Sequence, residues 1–131
     1  MDGPVEPNRV EPPLRDLLAG AARSCPGVAE VLLVDSQGML IESYGGRGGA
    51  DPEELAVETM AAVPALGRGA ASARVGRPSE WLMVGDLGTI VVRRIGLLEL
   101  FVVLRVPGEE FVGRVRLAAR IIAGRLLEAL S

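Results

Sequence analysis

The sequence predicts an α+β domain whose elements run helix, two strands, helix, three strands, helix between residues 14 and 130. Three observations carry that reading. Apolar residues recur at helical spacing in three separate stretches, each bounded by Pro or Gly. Short β-rich runs flank Ser36-Gln37-Gly38 and Leu87-Gly88, which are turn residues suited to hairpins. With 131 residues, 49% of them hydrophobic, the chain is one domain long enough to bury a sizeable core.

The elements follow in order. Residues 1–12 are acidic and Pro-rich without periodicity, and are expected to form a flexible tail. Pro13 suits a helix entrance, and Leu14, Leu17, Leu18 and Ala21 give a short helix to about Arg23, stopped by Pro26 and Gly27. Residues 28–35, VAEVLLVD, and 39–43, MLIES, read as a hairpin in which Gly38 takes positive φ. A Gly-rich loop covers residues 44–50. Asp51-Pro52-Glu53-Glu54 then starts a helix: Asp51 caps, Pro52 occupies the first helical position, and Glu54 sits at capping-box spacing. This second helix is expected to run to about Ser72. Pro64 lies inside it and lacks the N–H for the Met60 carbonyl, so a kink or break is expected, at a cost of about 3 kcal/mol. Residues 79–86 and 89–95 form a second hairpin, and residues 97–106, nearly all apolar, form a strand central in the sheet. The last helix covers about residues 110–130, with Phe111, Val115, Ala118, Ile122 and Leu126 as its core stripe and Leu117 and Ile121 off that stripe.

Little on this frame suggests chemistry. The chain has no His and no Lys, all 14 basic residues are Arg, and Cys25 is the single cysteine. Cys25 reads as a small half-buried residue, since no His is present to activate it. The loop Gly45-Gly46-Arg47-Gly48-Gly49 lacks the Lys and Ser/Thr of a phosphate-binding loop and reads as a connector. Glu53, Glu54 and Glu58 suit a helix start better than a metal. Arg114, Arg116, Arg120 and Arg125 suit a solvated helix face. No catalytic residue, cofactor or metal is expected. The net charge of −3 argues against a nucleic-acid partner. No apolar run nears the roughly 20 residues of a membrane span, and the N-terminus lacks a signal-peptide pattern, so a soluble cytoplasmic protein is expected.

What the chain carries in place of reactive groups is surplus apolar surface. Residues 59–67, TMAAVPALG, hold no charge. Leu55, Thr59, Val63 and Leu66 make one face of the second helix, and Met60 extends it sideways. The strand around Trp81, Leu82 and Met83 is apolar on both faces, which on a sheet edge invites pairing with another chain. These eight residues are the candidate dimer or partner interface. Arg68, Arg74 and Arg77 surround the exit of the second helix and are candidate contacts to an acidic or phosphate-bearing partner.

The order of elements resembles the Roadblock family, of the dynein light-chain Roadblock and MglB type. The resemblance is carried by PGVAEVLLVDSQGMLIES at 26–43, the helix from Asp51 through Leu66, WLMVGDLGTIVVRRIG at 81–96 and GRVRLAARIIAGRLLEAL at 113–130. It implies a five-stranded antiparallel sheet with flanking helices, formed by residues 13–131 in the order α-β-β-α-β-β-β-α. It implies a homodimer, or a heterodimer with a similar chain, in which the middle helix and third strand meet their counterparts in one continuous sheet. It also implies binding to a small Ras-like GTPase, as regulator or scaffold, with any stimulation of GTP hydrolysis achieved by reshaping the GTPase. The alternatives are an adaptor in a motor or signalling complex, and a small-molecule sensor domain, which requires a closed apolar pocket with convergent polar groups.

Overall fold

A computed structural model describes residues 13–46, 49, 51–109 and 111–131. The proposed tail, residues 1–12, lies outside them. The order is α1 (Leu14–Arg23), β1 (Glu30–Asp35), β2 (Leu40–Gly45), α2 (Pro52–Ala61), α3 (Val63–Ser72), β3 (Glu80–Val84), β4 (Gly88–Arg94), β5 (Leu100–Pro107) and α4 (Val112–Leu130). The strands form one antiparallel sheet in the order β2-β1-β5-β4-β3. The sheet and its helical flanks agree with the expected α+β class.

β1 and β5 are central, and their apolar runs are buried on both faces. Val31 and Leu33 of β1, with Val102 and Leu104 of β5, face α1 and α4. Leu32, Val34, Phe101 and Val103 face α2. A strand covered on both sides reads as continuous hydrophobic sequence, as these two do. The β1–β2 turn is closed by Asp35, whose Oδ1 accepts from the backbone N–H of Gln37 and Met39, both at 2.9 Å. Gly38 sits there at φ +85°, as expected, and its α-carbon lies so near α2 that a Cβ would come 3.3 Å from Val57 Cα.

One expectation is met and two are corrected. The second helix is two helices, parted at Ala62, because Pro64 removes one backbone donor and its ring disfavours helical geometry just before it. Pro64 then falls in the first turn of α3, where proline is tolerated. The last strand starts at Leu100, three residues later than expected. Leu98 N–H donates to Ile95 O at 3.0 Å and Ile95 N–H to Leu100 O at 2.9 Å, so the Gly96 turn absorbs Leu97, which is 89% exposed. Phe111 is outside the core: it precedes α4 in an extended conformation and is 79% exposed. The rest of the stripe, Val115, Ala118, Ile122 and Leu126, is buried against the sheet with Leu18, Ala21 and Ala22 of α1. Cys25 is buried in the same cluster, more deeply than the sequence suggested.

The Gly-rich loop is more than a connector where it is described. Glu30, 1% exposed, pairs with Arg105 Nε at 2.8 Å across the sheet, and Glu30 Oε2 and Arg105 Nη2 are buried without a hydrogen-bond partner among the described residues. Gly46 lies directly over this pair, with φ +93°, and a Cβ there would stand 2.7 Å from Glu30 Oε2. Glycine is required for that approach. Arg47, Gly48 and Ala50 lie outside the described residues.

Candidate functional site

The two faces of the sheet are closed to different extents. α1 and α4 cover one face. On the other, α2 lies over β1 and β2, contributing Ala56 and Met60 as its buried residues, and the β3–β4 side stays open. α3 continues past the sheet with no buried residue. The result is an open groove of about 610 Å³ between α2–α3 and strands β3 and β4. Leu55, Thr59, Ala62 and Leu66 make one wall, Trp81, Met83, Ile90 and Val92 the floor, and Glu58 stands on the rim.

The groove borders a free sheet edge. Among the described residues β3 pairs only with β4, from Glu80↔Arg93 to Val84↔Thr89. Met83 and Val84 are 62% and 61% exposed on it, and no Pro or Lys protects the strand. The strand itself is well anchored. Glu80, largely buried on the sealed face, accepts from Arg93 at 2.8 Å and from Arg116 of α4. The other edge, β2, is guarded: Arg15 of α1 donates to the Ser43 carbonyl at 3.1 Å and lies 3.9 Å from the Glu42 carboxylate.

A second cleft of about 600 Å³ adjoins the groove through Trp81, between the end of α3 and the start of β3. Val63, Arg74, Arg77 and Arg94 line it. The Arg94 guanidinium lies 4.7 Å from the Phe101 ring centroid, and Trp81 packs at 6.0 Å from the same ring. Arg94 Nη2 donates to Pro78 O at 3.4 Å and Nη1 is 3.8 Å from Glu99, while Nε is buried without a hydrogen-bond partner among the described residues. Burial holds the Arg94 pKa below its ordinary value, the neighbouring Arg77 charge adds to this, and Glu99 offsets part of it. Glu99 also pairs with Arg77, so two cations share one exposed carboxylate.

Of the sequence-predicted interface residues, Leu55, Thr59, Leu66, Trp81, Leu82 and Met83 line the one groove, and Val63 lines the adjoining cleft. Met60 is corrected: it is 3% exposed and spent on the sheet of its own chain, where its position one turn after Ala56 directs it. Arg74 and Arg77 line the cleft, and Arg68 is exposed on α3 outside both. Arg94 escaped sequence reasoning. Its signal is the doublet Arg93-Arg94 within a strand: side chains alternate, so one of two adjacent arginines must face the α2 side.

The cavities described on the chain are open clefts at its surface. Among the described residues, no group of three His, Cys, Asp or Glu is placed to hold a metal ion. Nor is any helix among them long and apolar enough to cross a membrane.

No family sequence profile matches the chain, and no curated protein sequence does. Solved structures do match. Myxococcus xanthus MglB superposes with a TM-score of 0.77 at 21% identity, over 89% of this chain and 94% of its own. An MglB with a tetrameric arrangement gives 0.76 at 20% identity, over 95% and 96%. A Roadblock/LC7 domain from Streptomyces avermitilis gives 0.71 at 15% identity, over 88% and 96%. The agreement spans nearly the whole of each chain, so this protein has the fold shared by MglB and Roadblock/LC7 domains, as the sequence resemblance implied.

Proposed function

We propose that this chain is a dimeric, non-catalytic regulator or scaffold that binds a small Ras-like GTPase in the cytoplasm. The observation that carries the reading is the apolar groove lying beside an unguarded edge strand, on the fold of MglB. A partner copy that pairs along β3 extends the sheet, satisfies the free edge and covers Trp81, Met83 and Leu66 together. Burial of each large apolar side chain is worth about 1.5–3 kcal/mol, so a symmetric contact of this kind favours association. The tetrameric arrangement of one MglB neighbour is in keeping with a surface built for self-association.

A GTPase bound to such a dimer meets few groups suited to proton transfer, since the chain carries no His and no Lys. Any acceleration of GTP hydrolysis then comes from the conformation imposed on the GTPase, by preference for one of its switch states.

Sedimentation velocity of the pure protein tests the dimer; a monomer at high concentration removes it. Pull-down with a panel of small Ras-like GTPases, loaded with GTP analogue or GDP, tests the partner, and single-turnover hydrolysis tests activation. Binding to none of them in either state would sink the GTPase reading.

A further inference from the structure

The cleft between the end of α3 and the start of β3 gathers positive charge. Arg74, Arg77 and Arg94 line it, and none of the described residues lining it is acidic. Arg94 is the deepest of the three. Its side chain is 10% exposed, its guanidinium lies over the Phe101 ring, and its Nε is buried with no hydrogen-bond partner among the described residues. The Nη2 bond to Pro78 O is long at 3.4 Å, and Glu99 at 3.8 Å is beyond hydrogen-bond reach of Nη1. A guanidinium has five N–H donors, so most of this one's capacity meets no protein acceptor among the described residues. Arg77 and Arg94 share the one carboxylate of Glu99, and Arg74 forms no ion pair among the described residues. The rest of the wall includes the apolar side chains of Val63, Ala71 and Trp81.

We propose that this cleft binds a phosphate monoester carrying a small apolar body. Three guanidinium groups set against one shared carboxylate leave a surplus of two positive charges. A phosphate monoester brings about 1.5 to 2 negative charges at neutral pH, which matches that surplus. A carboxylate brings one and leaves a guanidinium unmet. The planar fork of arginine also fits a pair of phosphate oxygens, and it does so best where water is partly excluded, as at Arg94. Burial, and then the Arg77 charge, hold the Arg94 pKa below its ordinary value, and a bound dianion relieves both. The volume of about 600 Å³ exceeds the needs of a bare phosphate and lies in the range of small-molecule sites, about 300–1,000 Å³, so the ester's body has Trp81 and Val63 to lie against. The proposal is independent of the dimer and GTPase readings: a monomer that binds no GTPase still carries this cleft.

Phenyl phosphate is the probe, with inorganic phosphate as the control for the body and benzoate for the head group. Trp81 is the only tryptophan of the chain, so its fluorescence reads the cleft directly. Phenyl phosphate is expected to give a saturable change, with a dissociation constant about tenfold below that of either control. Arg77→Gln is expected to weaken binding about tenfold, because a charge-assisted contact is lost. Arg94→Lys is expected to do the same, because the charge stays and the fork goes. Arg77 is 56% exposed, so its variant keeps the test decisive even where the buried Arg94 substitution disturbs folding, which circular dichroism melts report. The absence of a saturable Trp81 response at millimolar phenyl phosphate overturns the proposal. So do equal affinities for the three anions, binding undiminished in Arg77→Gln, or calorimetric binding without a Trp81 response, which places the ligand elsewhere.

Discussion

The two faces of the sheet are built from the same strands yet finish differently. On one, α1 and the 19-residue α4 bring Leu18, Ala119, Ile122 and Leu126 down on Val31, Leu33 and Leu104, and the packing is complete. On the other, α2 seats Ala56 and Met60 and stops at Ala62, so that α3 and the β3–β4 side share no closed core. An amphipathic helix can be satisfied by its own domain or by a neighbour. α4 buries its core stripe and leaves Leu117 and Ile121 off it exposed; α2–α3 buries only Ala56 and Met60, and Leu66 at 44% exposure and Met83 at 62% face the groove. The same contrast holds for the edges, since Arg15 guards β2 and nothing among the described residues guards β3.

Five substitutions press on this contrast. The deepest is Glu30→Ala, beneath the glycine loop. It leaves the Arg105 charge without its partner and is expected to cost about 3–5 kcal/mol by urea titration; a loss under 1 kcal/mol would mean water already serves that pair. Next, Ile122→Ala on the sealed face should cost about 2–5 kcal/mol, whereas Leu66→Ala in the groove should cost about 0.5 kcal/mol in the monomer. Equal losses would erase the distinction between the faces. Met83→Lys should leave the monomer within about 0.5 kcal/mol of wild type yet weaken self-association about a hundredfold, as a charge on an edge strand blocks pairing. An unchanged sedimentation profile would move the interface elsewhere. Last, Arg74→Gly should raise stability by about 1 kcal/mol, because glycine accepts positive φ without strain. A fall in the melting temperature would show that the arginine serves its own chain.

Much of the fold was legible because its signals are local. The Asp51-Pro52 start of α2 is visible as two residues, and Asp51 Oδ1 does accept from Glu53 N–H at 3.2 Å. The hairpin at Gly38 is visible as a turn between apolar runs. Six of the eight proposed interface residues also line one groove: helical periodicity places Leu55, Thr59 and Leu66 on one wall and strand alternation places Trp81 and Met83 on the floor, whereas Leu82 packs with the α1–α4 side and only borders it. The misreadings have local causes too. Phe111 matched the spacing of α4 but falls before its first turn, so its side chain leaves the helical stripe. Met60 belonged to the same uncharged run as Val63, and only the position of the sheet shows that one points in and the other to the cleft.

The sequence by itself determined the order of elements, the central place of the apolar last strand, the break near Pro64 and the scarcity of reactive groups. Each depends on residues within a turn or a strand of one another. Tertiary structure alone decided that Glu30 meets Arg105 from 75 residues away, that Arg94 rather than Arg93 faces Phe101, and that β3 is left on the edge. Those outcomes depend on which strands become neighbours, and pairing between distant segments is selected by the burial of the whole sheet rather than by any pattern within one of them.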